Sequence, residues 1–188
     1  MSINENKMSE QVVVEDSHEY GDGMKCMKRL VKQYHAMQRR NNNSEIPYTE
    51  HLFGVASILK TITEYNKEVP SDILELMTQA ALGHDLLEDT AISEEIIDRA
   101  TESCVLEWIL ELTNPNDDAH TNEYMEKIAS ASEESRLIKY ADLIENTSSF
   151  CYSLHEPCVV NPVQRAKEFY IPILNKTTDV LAKTSFEK

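Results

Sequence analysis

Apolar residues recur along this chain at helical rather than strand spacing. Met27, Leu30, Val31 and Tyr34 fall at i, i+3, i+4 and i+7, which predicts a helix over Met24 to Arg40. The Asn41-Asn42-Asn43 run and Pro47 then read as a loop to Tyr48. Thr49, followed by Glu50, can cap a second helix to about Asn66, with Leu52, Val55, Ala56, Ile58 and Leu59 on one side. Pro70-Ser71-Asp72 opens a third, which carries Ile73, Leu76, Met77, Ala80 and Ala81 toward Leu87. Ser93-Glu94-Glu95 opens a fourth, and Cys104 to Leu112, with Trp108 as core, reads as a fifth, stopped by Asn114-Pro115-Asn116. Thr121 to Ser130 and Glu133 to Tyr152 follow, and a last helix starts near Val163, with Pro172 breaking or kinking it. No segment sustains period-2 alternation, so the expected class is an all-α bundle in one domain over 24–188. Residues 1–23, with six acids, one Lys and Gly21-Asp22-Gly23, read as a flexible acidic N-terminal tail.

Composition agrees with the helical pattern and narrows the partners. Only 4 Gly and 6 Pro occur in 188 residues, too few turn formers for a sandwich or barrel. A formal charge of −15 disfavours nucleic acid and anionic membrane as general partners. No apolar run approaches the roughly 18–20 residues of a membrane span, and the polar N-terminus is no signal peptide. Cys26, Cys104, Cys151 and Cys158 lack CxxC spacing and read as reduced thiols of a cytoplasmic protein. Oligomeric state leaves no mark in the sequence.

The densest chemical cluster is Gly83-His84-Asp85-Leu86-Leu87-Glu88-Asp89-Thr90, at the end of an apolar helix. On a continuous helix His84 and Glu88, and likewise Asp85 and Asp89, are i,i+4 neighbours, a divalent-metal site with an acidic pair beside it. Further ligands are sought among polar residues embedded in apolar helix faces. His51 lies beside Leu52 and Phe53, and Asp142 sits within Leu137 to Ile144, where an unpaired acid is costly to bury. Two imidazoles and two carboxylates suit Mn²⁺, Fe²⁺ or Zn²⁺ better than Ca²⁺. Met24 to Arg40 holds six basic residues and no acid, leaving 12 bases against 33 acids elsewhere. Such a stretch can admit an anionic ligand to an acidic protein, or simply be a solvated face.

The ordered set resembles the HD phosphohydrolases, in particular the RelA/SpoT-type hydrolases of the alarmone (p)ppGpp and their small single-domain members. It comprises His35, Gln38-Arg39-Arg40, Pro47-Tyr48, His51, Ala80-Ala81-Leu82-Gly83-His84-Asp85-Leu86-Leu87-Glu88-Asp89-Thr90 and Lys139-Tyr140-Ala141-Asp142-Leu143-Ile144-Glu145-Asn146. Farther on, Tyr170-Ile171-Pro172-Ile173 looks like the family's Tyr-x-Pro-Leu helix. The resemblance implies an HD-domain bundle around a central metal, usually Mn²⁺, held by His51, His84, Asp85 and Asp142. Glu88 and Asp89 would position and deprotonate the attacking water. Arg39, Arg40, Lys139, Asn146 and Tyr170 would contact the nucleotide, and the reaction would release pyrophosphate from its 3′ position. The chain departs from the family pattern at Asn41, Leu52, Gly83, Leu143 and Ser148, three of them positions where the family carries a basic residue. That leaves two alternatives open: the same chemistry on another nucleotide (NADPH 2′-phosphate, an adenosine alarmone or a dNTP), and a binding module that senses a nucleotide or neutralises a partner without turnover.

Overall fold

The computed structural model describes residues 22–40, 43–66, 69–114, 121–149, 171, 172 and 175. Of the tail expected over 1–23, residues 1–21 fall outside these residues, while Asp22 and Gly23 begin the first helix; of the helix expected from Val163, Ile171, Pro172 and Asn175 are described, all helical, and Cys151, Cys158 and Tyr170 fall outside.

Helices dominate the described chain. Helix α1 spans Gly23–Tyr34, with Asp22 as its cap: the carboxylate accepts from the Lys25 backbone N–H at 3.0 Å. The chain then makes a two-stranded antiparallel hairpin, β1 (Arg39–Arg40) and β2 (Asn43–Pro47), with an irregular register between Arg39 and Arg40. This corrects both the helix expected to run to Arg40 and the loop expected to reach Tyr48. His35 ends the helix, and its Nδ1 lies 2.5 Å from the Gln38 side-chain oxygen.

Helix α2 (Thr49–Asn66) follows, then α3 (Ser71–Gly83), the short α4 (Leu86–Asp89), α5 (Glu94–Ala100), α6 (Ser103–Leu112), α7 (Thr121–Ser130) and α8 (Glu133–Ser148). The third helix stops at Gly83 rather than continuing toward Leu87. Gly83 sits where the chain is tightest: an added Cβ would come within 2.8 Å of Met27 Sδ and 3.0 Å of Ile109 Cδ1, so α1 and α6 close over this point.

Helices α2 and α3 form the centre, with α8 against both, α1 on α3 and α6 bridging α3 and α8. Met27, Val31, Leu52, Leu59, Met77, Leu82, Leu86, Ile109 and Ile138 fill the shared interior, and Trp108 is buried as expected. Leu143 is also a core residue, which gives its apolar side chain a packing reason. No helix among the described residues is long and apolar enough to cross a membrane.

Candidate metal centre

Three separate stretches carry the polar groups that this apolar interior encloses. His51 lies in the first turn of α2, His84-Asp85 in the break between α3 and α4, and Asp142 in the middle of α8. His51, His84 and Asp142 are all nearly fully buried. The four residues that the sequence singled out meet at one place. His51 Nε2 is 3.6 Å from Asp85 Oδ2 and 3.3 Å from Asp142 Oδ1. His84 Nε2 is 3.1 Å and 3.7 Å from the same two oxygens. Ligand–ligand spacings of about 3–3.5 Å are what bonds of about 2.1 Å to one ion produce. His51, His84 and Asp85 each offer a donor atom within 4.8 Å of the others.

The imidazoles are turned for this task. His84 Nδ1 donates to the Ala81 carbonyl at 2.9 Å, so Nε2 is the face left for a ligand, and that buried nitrogen has no hydrogen-bond partner among the described residues. His51 Nδ1 donates to Glu145 Oε2, which likewise presents Nε2 to the carboxylates. Adjacent His84 and Asp85 stand at the junction of α3 and α4, and their side chains reach one point. The i,i+4 relation expected for Asp85 and Asp89 is kept: Asp85 stands at the N-cap position of α4, and the backbone N–H of Asp89 bonds the Asp85 carbonyl at 2.9 Å.

Charge gives the same answer as geometry. Asp85, Asp142 and Glu145 crowd the centre, and two fixed cations answer them. Lys139 Nζ donates to Asp142 Oδ2 at 2.8 Å and lies 5.3 Å from the Tyr124 ring centre. Arg40 Nη2 donates to Glu145 Oε2 at 2.9 Å, to Ser149 Oγ at 2.7 Å and to Asn146 Oδ1 at 3.5 Å. Among these described groups the carboxylates outnumber the fixed cations by one. With no ion present, burial disfavours charged imidazoles, but hydrogen bonds from His51 to Asp142, Asp85 and Glu145 overcome it and raise that pKa well above the ordinary value. For His84, burial is likewise outweighed, chiefly by the Asp85 charge. Burial works against the Asp85 and Asp142 carboxylates too, yet His84 and Lys139 respectively hold them below the ordinary range. Two imidazoles that take up protons to satisfy carboxylates stand where a divalent cation fits.

Around the centre, Tyr48 donates to Asp85 Oδ2 at 2.6 Å and stacks on His35, with ring centres 5.2 Å apart. Burial, then the nearby Asp85 and Asp89 charges, raises the phenol's pKa and keeps it a donor. Gln38 Nε2 donates to the Asp89 carbonyl at 2.7 Å, tying the segment between α1 and β1 to α4. Glu88 and Asp89 reach solvent beside the buried cluster. The protein crowds them enough that partial burial, reinforced by Asp85, raises both carboxyl pKa values. Glu88 also accepts from the Asn114 backbone N–H at 2.9 Å.

The other expected contacts separate. Arg40 and Asn146 lie together at the centre, and Asn146 Nδ2 donates to Asp142 Oδ1 at 2.5 Å. Lys139 faces Asp142. Arg39 is exposed and its guanidinium bonds the Ala36 and Gln38 carbonyls, at 3.3 and 2.9 Å. Sequence reasoning assigned no role to Glu145 or Tyr48. The available signal for Glu145 was its place three residues after Asp142, on the same side of α8.

A helical bundle enclosing a His-Asp doublet with a second His and a distant Asp defines a class. Residues 48–147 match the HD domain model, and the chain belongs to the HD-domain family. It is 30% identical over 129 residues to the guanosine-3′,5′-bis(diphosphate) 3′-pyrophosphohydrolase MESH1 of Drosophila melanogaster, an alignment spanning 65% of this chain and 66% of that protein. Its fold also superposes on the structure of a metazoan orthologue of SpoT that hydrolyses ppGpp, with a TM-score of 0.70, 24% identity and 89% of each chain covered.

Proposed function

We propose that this protein is a metal-dependent hydrolase that removes the 3′-pyrophosphate of (p)ppGpp, giving GDP or GTP and pyrophosphate. One observation carries the reading: two imidazole Nε2 atoms and two carboxylate oxygens converge within 3.1–3.7 Å, each imidazole oriented by an outer acceptor. The relationship to MESH1 supplies the substrate.

His51, His84, Asp85 and Asp142 would hold the ion, with Mn²⁺ as the proposed occupant. When bound, a divalent ion supplies Lewis acidity and an acidified water. The protein's own groups do the rest. Glu88 and Asp89, with their raised pKa values, take the proton from the attacking water. Lys139 fixes the outer oxygen of Asp142, and Tyr48 fixes Asp85 Oδ2. Arg40 and Asn146 stand at the cluster to receive the nucleotide, with Arg39 and Tyr170 proposed as outer contacts. A cytoplasmic setting goes with this reading and suits the free thiols of Cys26 and Cys104.

The test is incubation of metal-stripped, Mn²⁺-reloaded protein with ppGpp, following pyrophosphate and GDP. Stoichiometric release of both supports the assignment. Intact ppGpp over metal-loaded protein refutes it, and turnover of NADPH, an adenosine alarmone or a dNTP in a parallel panel would transfer the chemistry to that nucleotide. Glu88→Gln separates an enzyme from a binder: turnover falls about 10²–10⁴-fold in the first case, with metal and ligand retained.

A further inference from the structure

Glu145 is the one carboxylate at the centre that the proposed chemistry leaves without a task. It is largely buried, on α8 one turn beyond Asp142, and a single oxygen, Oε2, serves two partners. One is His51 Nδ1 from α2; the other is Arg40 Nη2 from β1, at 2.9 Å. The fold makes room for this side chain. Gly54, one turn after His51, faces it so closely that an added Cβ would stand 3.0 Å from Glu145 Cγ.

We propose that Glu145 is a positioning residue joining the metal centre to the nucleotide site: one oxygen holds His51 with Nε2 toward the ion and holds the Arg40 guanidinium beside Asn146. This rests on the hydrolase reading above. An imidazole that donates to a carboxylate is a stronger and better-aimed ligand, and loss of such an outer partner typically costs 10–100-fold in metal affinity. The same loss frees Arg40, whose guanidinium then keeps, among the described residues, Ser149 and the longer contact to Asn146. Metal affinity and nucleotide affinity should therefore fall together when Glu145 changes, and separately when either partner of Glu145 does.

The experiment titrates metal-stripped protein with MnCl₂ by calorimetry and measures KM and kcat for ppGpp, with thermal unfolding as the check on folding. Glu145→Gln keeps an acceptor for His51 but loses the charge. We expect about 10-fold weaker Mn²⁺ binding and a raised KM, with Glu145→Ala worse on both. Arg40→Gln should raise KM while leaving Mn²⁺ affinity within about 3-fold, a split that a general packing defect would not give. Should the Glu145 variants fail to fold, Gly54→Ala crowds the same carboxylate from α2 and should weaken Mn²⁺ binding in a folded protein. Wild-type Mn²⁺ affinity in folded Glu145→Gln, or in Gly54→Ala where it is the variant that folds, overturns the proposal. If wild-type protein binds Mn²⁺ and spares ppGpp, the substrate assignment fails, and the Mn²⁺ titrations still decide the role of Glu145.

Discussion

Replacing Lys139 by Met should lower the stability of the metal-free protein and make it more dependent on a bound metal. Lys139 Nζ lies 2.8 Å from Asp142 Oδ2, and only 12% and 6% of the two side chains are exposed. At an effective dielectric of about 20, that pair is worth about 6 kcal/mol of gross attraction. The net loss is smaller, because Lys139 no longer has to be desolvated and a Met stem fills similar space. Removing one partner of a buried pair typically costs about 3–5 kcal/mol. In the metal-free protein His51 and His84 can each neutralise Asp142 in part, which argues for the lower end, about 3 kcal/mol. For a chain of this size that is about 6–12 °C in Tm. A bound cation restores the missing charge, so Mn²⁺ should stabilise Lys139→Met more than it stabilises the parent protein, whose gain at 100 times Kd is about 2.7 kcal/mol. The assay is thermal unfolding of both proteins in chelator and in saturating MnCl₂. A loss under about 1 kcal/mol in chelator, or equal gains from Mn²⁺ in the two proteins, would refute the charge balance drawn for this centre.

Other expectations follow from the same geometry. His84→Ala removes a buried donor of the cluster, and should abolish stoichiometric Mn²⁺ by elemental analysis and reduce turnover by at least about 10³-fold. Both imidazole pKa values are raised in the metal-free protein, so protons compete with the ion: Mn²⁺ affinity should climb with pH above about 6.5, with net proton release detectable by calorimetry in buffers of different ionisation enthalpy. The corresponding stability has the opposite sign. It is fully present below the unfolded value of about 6.5 and is lost as pH rises through the folded values, so chelated protein should melt at lower temperature toward alkaline pH while metal-loaded protein does not. Gly83→Ala gains helix propensity of about 1 kcal/mol but must displace Met27 and Ile109, so a net loss of about 1 kcal/mol is expected in denaturant unfolding, relieved by shortening Met27 to Ala.

Helices were legible because each buries one stripe of a repeating pattern: Leu52, Val55 and Leu59 on α2, or Trp108, Ile109 and Leu112 on α6, are buried where the spacing puts them, whereas Leu110 is exposed. His51 and Asp142 were legible for the converse reason, as polar residues on apolar faces. The hairpin was not. A two-residue strand has no alternation to detect, and Arg39-Arg40 continues the polar face of the preceding helix. The break at His84-Asp85 was hidden as well, because nothing after Gly83 in that stretch is a helix breaker, and the turn is fixed by tertiary partners such as Tyr48. Glu145 reads locally as one more acid in an acidic chain. Its meaning comes from a histidine 94 positions earlier, a relationship that folding creates.

The interruption between α3 and α4 also gives the doublet a reading order. His84 follows the helix directly, where the Ala81 carbonyl three residues back is within reach of its Nδ1. Asp85 comes one step later, at the head of α4, where the phenol of Tyr48 meets its carboxylate. Transposing the two would conserve composition, charge and donor types. It would nonetheless set an acid against a carbonyl and an imidazole against the phenol, so this site is specified by sequence order as much as by the residues themselves.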